Sequence, residues 1–191
     1  MGNNTSESLL LVFVGMPGAG KTEATLYLEK KNIPFVRFGQ ITDEGVKELG
    51  LSLTPDNERM FREKIRKELG MAAYAIKAKP KIEELLKENN VLVIDGLYSW
   101  EEYVLLKKEF SSLTLIHVFA EAKVRYQRLS ERKIRPVPLE KCYQRDVLEI
   151  ENLNKGGPIA IADYLIVNDS DDISNLYHKI DKLMIRLNIK R

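Results

Sequence analysis

Short apolar runs alternate with longer segments of mixed polarity along most of the chain. Residues 9–14, LLLVFV, are continuously apolar, the pattern of a strand buried on both faces. Residues 22–31 carry Ala24, Leu26 and Leu28 at helical spacing, and 34–38, PFVRF, read as a second strand. Thr42 is a candidate N-cap for DEGVKELG. Thr54 followed by Pro55 marks another helix start, and Met60, Ile65, Leu69 and Ala73 continue a helical spacing that Gly70 and Pro80 interrupt. A separate helix is expected to begin at Pro80. Strands follow at 91–95, 113–120 and 163–167, and helices at 99–110, 121–133, 139–153 and 173–187. Five strands alternating with helices predict an α/β fold, a three-layer sandwich around a five-stranded parallel sheet. Ligands of such sheets gather beyond the carboxyl ends of the strands.

Composition narrows the picture little. At 191 residues, with 44% hydrophobic and 30% charged, the chain suits one buried core, expected over 9–191 behind a flexible tail, 1–8. Thirty basic against 28 acidic residues, net +2, give no general attraction for nucleic acid or membrane. The longest apolar run, 9–14, is too short to span a bilayer. One cysteine, Cys142, excludes an intrachain disulfide and fits a reducing compartment, as it would a disulfide-free secreted protein; a cytoplasmic protein is the expectation. With two histidines and no paired ligand spacing, nothing points to zinc. The opening MGNNTS matches the short pattern for N-terminal Gly2 modification, which polar tails also match.

Chemistry enters at residues 15–22, GMPGAGKT, which satisfy G-x-x-x-x-G-K-[ST] between a strand and a helix. Gly15, Met16, Pro17, Gly18, Ala19 and Gly20 would turn successive N–H groups onto phosphate oxygens at the positive end of the following helix. Lys21 would reach the terminal phosphates, and the Thr22 hydroxyl would ligate Mg²⁺. Asp95 ends VLVIDG, where a carboxylate either holds Mg²⁺ through water or closes an Asx turn. Arg125, Arg128 and Arg132 share one side of a helix, with Arg135 and Arg145 beyond. They form either a solvated charged face or a lid, at about 125–153, that brings positive charge to a moving phosphoryl group. Arg128 and Arg132 are the catalytic candidates in that segment.

The order GMPGAGKT, VLVIDG, an arginine-bearing helix pair and ADYLIVND resembles P-loop kinases related to nucleoside monophosphate (adenylate) kinases and dephospho-coenzyme A kinase. It looks most like uncharacterised adenylate-kinase-related and dephospho-coenzyme A kinase-like proteins. The resemblance implies ATP and Mg²⁺ as cofactors and a nucleotide-like small molecule as acceptor. It also implies Asn168 near the donor base and acceptor-side helices over about 40–90. Two departures stand out. Tyr98 occupies the neighbourhood where adenylate-kinase-like enzymes carry an arginine after Asp-Gly. Gln40 stands where dephospho-coenzyme A kinases carry an acid, and glutamine cannot accept a proton. The expectation is an ATP- and Mg²⁺-dependent phosphotransferase, monomeric or homodimeric. A nucleotide-bound switch or scaffold is the alternative, and a nucleic-acid end kinase is disfavoured for want of a basic excess.

Overall fold

A computed structural model describes residues 8–133 and 135–189; the expected tail and the Gly2 pattern lie outside the described residues. Strands β1 (Leu9–Val14), β2 (Phe35–Arg37), β3 (Val91–Asp95), β4 (Leu113–Phe119) and β5 (Tyr164–Val167) form one sheet in the order β2-β3-β1-β4-β5, parallel throughout. β1 lies at the centre, which is why its run is uninterrupted: Leu10, Leu11, Val12 and Phe13 are fully buried. Side chains alternate across a strand, so Leu10, Val12 and Val14 face one core and Leu11 and Phe13 the other. Each fully buried Leu, Phe or Ile here stabilises by about 1.5–3 kcal/mol.

The first core is covered by α2 (Phe38–Glu48), α3 (Pro55–Leu69), α4 (Ala73–Glu88) and α5 (Trp100–Glu109), through Phe38, Ile65, Tyr74, Ile82 and Leu106. The second is covered by α1 (Lys21–Glu29) and α9 (Ile173–Arg186), through Ala24, Leu28, Leu176 and Ile180. The helices α6 (Ala122–Ser130), α7 (Leu139–Leu153) and the short α8 (Gly156–Ala160) lie between β4 and β5 in the chain. Among the described residues, no helix is long and apolar enough to cross a membrane.

Three local expectations are corrected. Thr42 does not cap a helix: α2 starts at Phe38, directly after β2, because burying the Phe38 ring sets the start. Thr42 lies inside α2, its hydroxyl hydrogen-bonded to that of Tyr74 at 2.6 Å. Pro80 does not begin a helix but sits inside α4. The interior proline costs ~3 kcal/mol, offset by Tyr74, Ala75, Ala78 and Ile82, which the continuous helix buries. The break falls at Gly70, the C-cap of α3. Residues 156–158, read with equal weight as a turn leading toward the donor-base side or as a plain turn, open the short helix α8. The Thr54 cap is present: its side chain accepts from the Asn57 N–H, with Pro55 following.

Candidate functional site

The loop between β1 and α1 lies at the carboxyl end of the central strand, and its neighbours converge from three other elements. Gly20 has φ 104°, and a Cβ there would lie 2.4 Å from Asn168 Nδ2, so the position admits only glycine without a shift. Asn168 follows β5 and is buried; its amide donates to the Ala19 carbonyl at 2.9 Å. Arg125 on α6 donates to the Pro17 carbonyl at 3.1 Å. The Pro17 and Ala19 carbonyls of the loop are thus held from outside it.

Lys21 Nζ donates to the Gly15 and Met16 carbonyls of the loop at 2.8 and 3.1 Å. Burial, then the nearby Lys155 charge, lower the Lys21 ammonium to about 7, against opposing pulls from Asp95 and Glu149. Thr22 Oγ1 donates to Asp95 Oδ2 at 3.2 Å, bringing the two expected metal-side groups together. Burial pushes the Asp95 carboxyl up, and Lys21 and Thr22 pull it down. A hydroxyl and a carboxylate oxygen side by side at a phosphate loop are hard ligands of the type Mg²⁺ takes, with phosphate and water completing its shell. Among the described residues there is no cluster of three or more His, Cys, Asp or Glu able to hold a metal by itself.

The arginines divide by partner. Arg125 makes a bidentate pair with Asp146 on α7, at 3.1 and 2.7 Å, and also donates to the Ala120 carbonyl. Both side chains of the pair are 9% exposed. Arg125 therefore ties α6, α7 and the phosphate loop into one joint. Arg128 donates to the carbonyls of Asn168 and Ser170 at 2.8 and 2.7 Å, fastening the loop after β5. Arg132 is exposed and has no ion pair among the described residues; partial desolvation and then the Arg145 charge lower it. Arg135 reaches across to Glu58 on α3 and to Asp43 on α2, the latter at 3.9 Å, so the connection between α6 and α7 touches the acceptor-side helices.

On that side, Gln40 donates to Glu44 at 2.6 Å, and Asp43 faces Arg37 at 3.5 Å as well as Arg135. Tyr98 packs edge-on to Tyr74, with centroids 6.4 Å apart, and burial raises its hydroxyl so that it stays protonated. Trp100 packs against Tyr103 and is 39% exposed.

Two residues that the sequence reading passed over complete the site. Lys155, at the N-cap of α8, is buried; it pairs with Glu149 of α7 and lies 5.2 Å from the centre of the Tyr98 ring. Glu149 also accepts from Arg145 Nε at 3.4 Å. Burial works to raise the Glu149 carboxyl, but Lys155, Arg145 and Lys21 outweigh it and hold it below the usual range. The only sequence signal was the interval from Arg145 to Lys155, which carries cation, carboxylate and cation in turn. Two surface cavities lie elsewhere: one of ~540 Å³ along β5 and α9, one of ~620 Å³ beside Ile33 and Asn90. Neither is lined by the phosphate loop.

Comparison with known proteins fits this geometry. The AAA domain family matches residues 11–151. A UPF0200 protein of Thermococcus sibiricus is 35% identical over 187 residues, covering 96% of this chain and 97% of that protein. A UPF0200 protein of Methanocaldococcus jannaschii is 32% identical over 178 residues, covering 92% and 89%. Among solved structures, shikimate kinase from Bacteroides thetaiotaomicron superposes with a TM-score of 0.60 at 16% identity, covering 95% of this chain and 99% of that one. Shikimate kinase from Acinetobacter baumannii, in complex with shikimate, gives 0.57 at 18%, covering 96% and 97%. At these identities the likeness is one of fold: an α/β, P-loop kinase-like fold. Matched by the AAA domain model over most of its length and by these relatives, the chain carries an AAA domain and belongs to the UPF0200 family.

Proposed function

We propose that this protein is an ATP- and Mg²⁺-dependent phosphotransferase that acts on a small, anionic, nucleotide-like acceptor. The observation that carries the reading is the convergence of two sets of groups at one sheet end. Lys21, Thr22 and Asp95 stand at the loop, and Arg145, Lys155 and Arg132 stand close enough for their charges to act on that set or on one another. Phosphoryl transfer needs alignment and positive charge on the equatorial oxygens more than it needs covalent chemistry. Lys21 would turn from the Gly15 and Met16 carbonyls onto the terminal phosphates. Thr22 and Asp95 would hold Mg²⁺, which when bound screens phosphate charge. Arg132, free of an ion pair among the described residues, would follow the transferred group as the lid closes. Arg128 and Asn168 would position the loop beside the donor base.

The acceptor side favours a phosphate oxygen as nucleophile. A hydroxyl acceptor gains ~10²–10⁴-fold from a positioned base, and here Gln40 cannot serve while Asp43 is engaged by Arg37 and Arg135. A phosphate acceptor is already deprotonated near neutral pH. This supports a nucleoside monophosphate kinase-like reaction over a dephospho-coenzyme A kinase-like one.

The test is product formation from Mg·ATP with a panel of nucleoside monophosphates and dephospho-coenzyme A, alongside Lys21→Ala. One acceptor should be phosphorylated by the native protein, and Lys21→Ala should abolish that turnover in folded material. Slow ATP hydrolysis with every acceptor unlabelled would overturn the kinase reading in favour of a nucleotide-bound switch.

A further inference from the structure

Glu149 has an unusual address for a carboxylate. It accepts from Lys155 and from Arg145, and the Lys21 charge reaches it as well. Its side chain is 15% exposed, whereas that of Lys155 is 3% exposed. A carboxylate surrounded by cations at the mouth of a phosphate site stands where a bound oxyanion would be most stabilised.

The two partners belong to different parts of the molecule. Glu149 and Arg145 ride on α7, in the segment read as the lid. Lys155 is anchored to the body. Its neighbour Asn154 donates to Glu101 of α5 at 3.0 Å. Gly157 lies so close to the Trp100 ring that a Cβ would approach to 2.6 Å. Tyr98, from the loop after β3, lies beneath the ammonium. If the Glu149 side chain turns away with α7 in place, Lys155 and Arg145 both stay, and the Lys155 ammonium is uncovered toward Asp95 and Lys21.

We propose that Lys155, together with Arg145, is the binding site for an oxyanion of the acceptor, and that Glu149 fills this site until the acceptor displaces it. The pair is an internal competitor. The empty enzyme avoids an unpaired buried ammonium, and a phosphate with its −1.5 to −2 charge outbids a single carboxylate. Selectivity for an anionic acceptor follows, because a neutral molecule cannot release the carboxylate from two cations. The inference rests on the kinase reading and assigns its acceptor site.

The experiment uses the full chain saturated with Mg²⁺ and a nonhydrolysable ATP analogue, so that the phosphate loop is filled. Inorganic phosphate is titrated by calorimetry, with acetate in a parallel arm. Glu149→Gln should bind phosphate about tenfold more tightly than the native protein, Lys155→Met at least about tenfold more weakly, and Lys155→Arg within about threefold of native. Tight phosphate and weak acetate assign a phosphate-bearing acceptor; the reverse order assigns a carboxylate-bearing one. Nucleotide affinity is measured first on each sample. If the native protein binds no nucleotide, the kinase reading fails and this inference with it. If nucleotide binds but folded Glu149→Gln shows no gain for either anion, only the present inference is overturned. Should Lys155→Met not fold, Glu149→Gln alone decides.

Discussion

Nucleotide binding should take up a proton, through Lys21. In the empty protein burial and Lys155 hold this ammonium at about 7, far below its ordinary 10.5. A polyphosphate beside it favours the charged form and returns the value toward the ordinary one. Without nucleotide, more of this lysine is therefore deprotonated at pH 8 than at pH 6, and proton uptake on binding should grow across that interval. Titration of Mg·ADP by calorimetry at pH 8, in two buffers of different ionisation enthalpy, reads it directly as the difference in apparent heat. Equal heats at pH 8 would refute the reasoning. The sign also bears on stability. The folded value lies below the unfolded one, so between about pH 7 and 10.5 the unfolded chain holds more protons at this group. Its contribution thus makes the empty protein more stable as pH rises through that window, and saturating nucleotide should flatten the trend.

Two further perturbations probe the scaffold around the loop. Arg125→Ala should cost about 3–5 kcal/mol in urea denaturation, because it leaves Asp146 buried without its bidentate partner; an apolar pair, Arg125→Met with Asp146→Leu, should recover most of that loss. Unchanged stability in the single variant would show that the joint bears no load. Arg128→Ala removes two bonds to the Asn168 and Ser170 carbonyls. It should weaken Mg·ADP binding about tenfold, on the scale of a hydrogen bond from a charged group, with turnover at saturating nucleotide changed less than threefold. An unaltered dissociation constant with turnover down 100-fold would move this guanidinium onto the transferred phosphoryl group.

Much of this architecture is legible in one dimension because its causes are local. A strand covered on both faces must be apolar without interruption, so LLLVFV announced a strand buried on both sides, which the fold places at the centre of the sheet. The phosphate loop is likewise a local object, defined by glycine conformations and a lysine one helical step away. The Thr54-Pro55 start of α3 is visible because capping acts over three residues. Helix boundaries set by distant partners were not visible. The buried Phe38 ring began α2 five residues early, and the side chains that α4 buries carried the helix through Pro80.

The site shows the same division more sharply. Residue types along the chain placed a glycine-rich phosphate-loop motif at the end of β1, with Asp95 and a run of arginines elsewhere in the chain. They did not determine which cation meets which anion. Arg125, Arg128 and Arg132 have helical spacing in the sequence, yet α6 ends at Ser130: one is locked to Asp146, one fastens the loop after β5 and one, past the helix end, is left exposed. Lys155, ordinary in sequence, is buried against Tyr98 with Glu149 as its counter-ion. Charge pairing depends on distance and on water exclusion, and both arise only when α5, α7, α8 and the loop after β3 pack together.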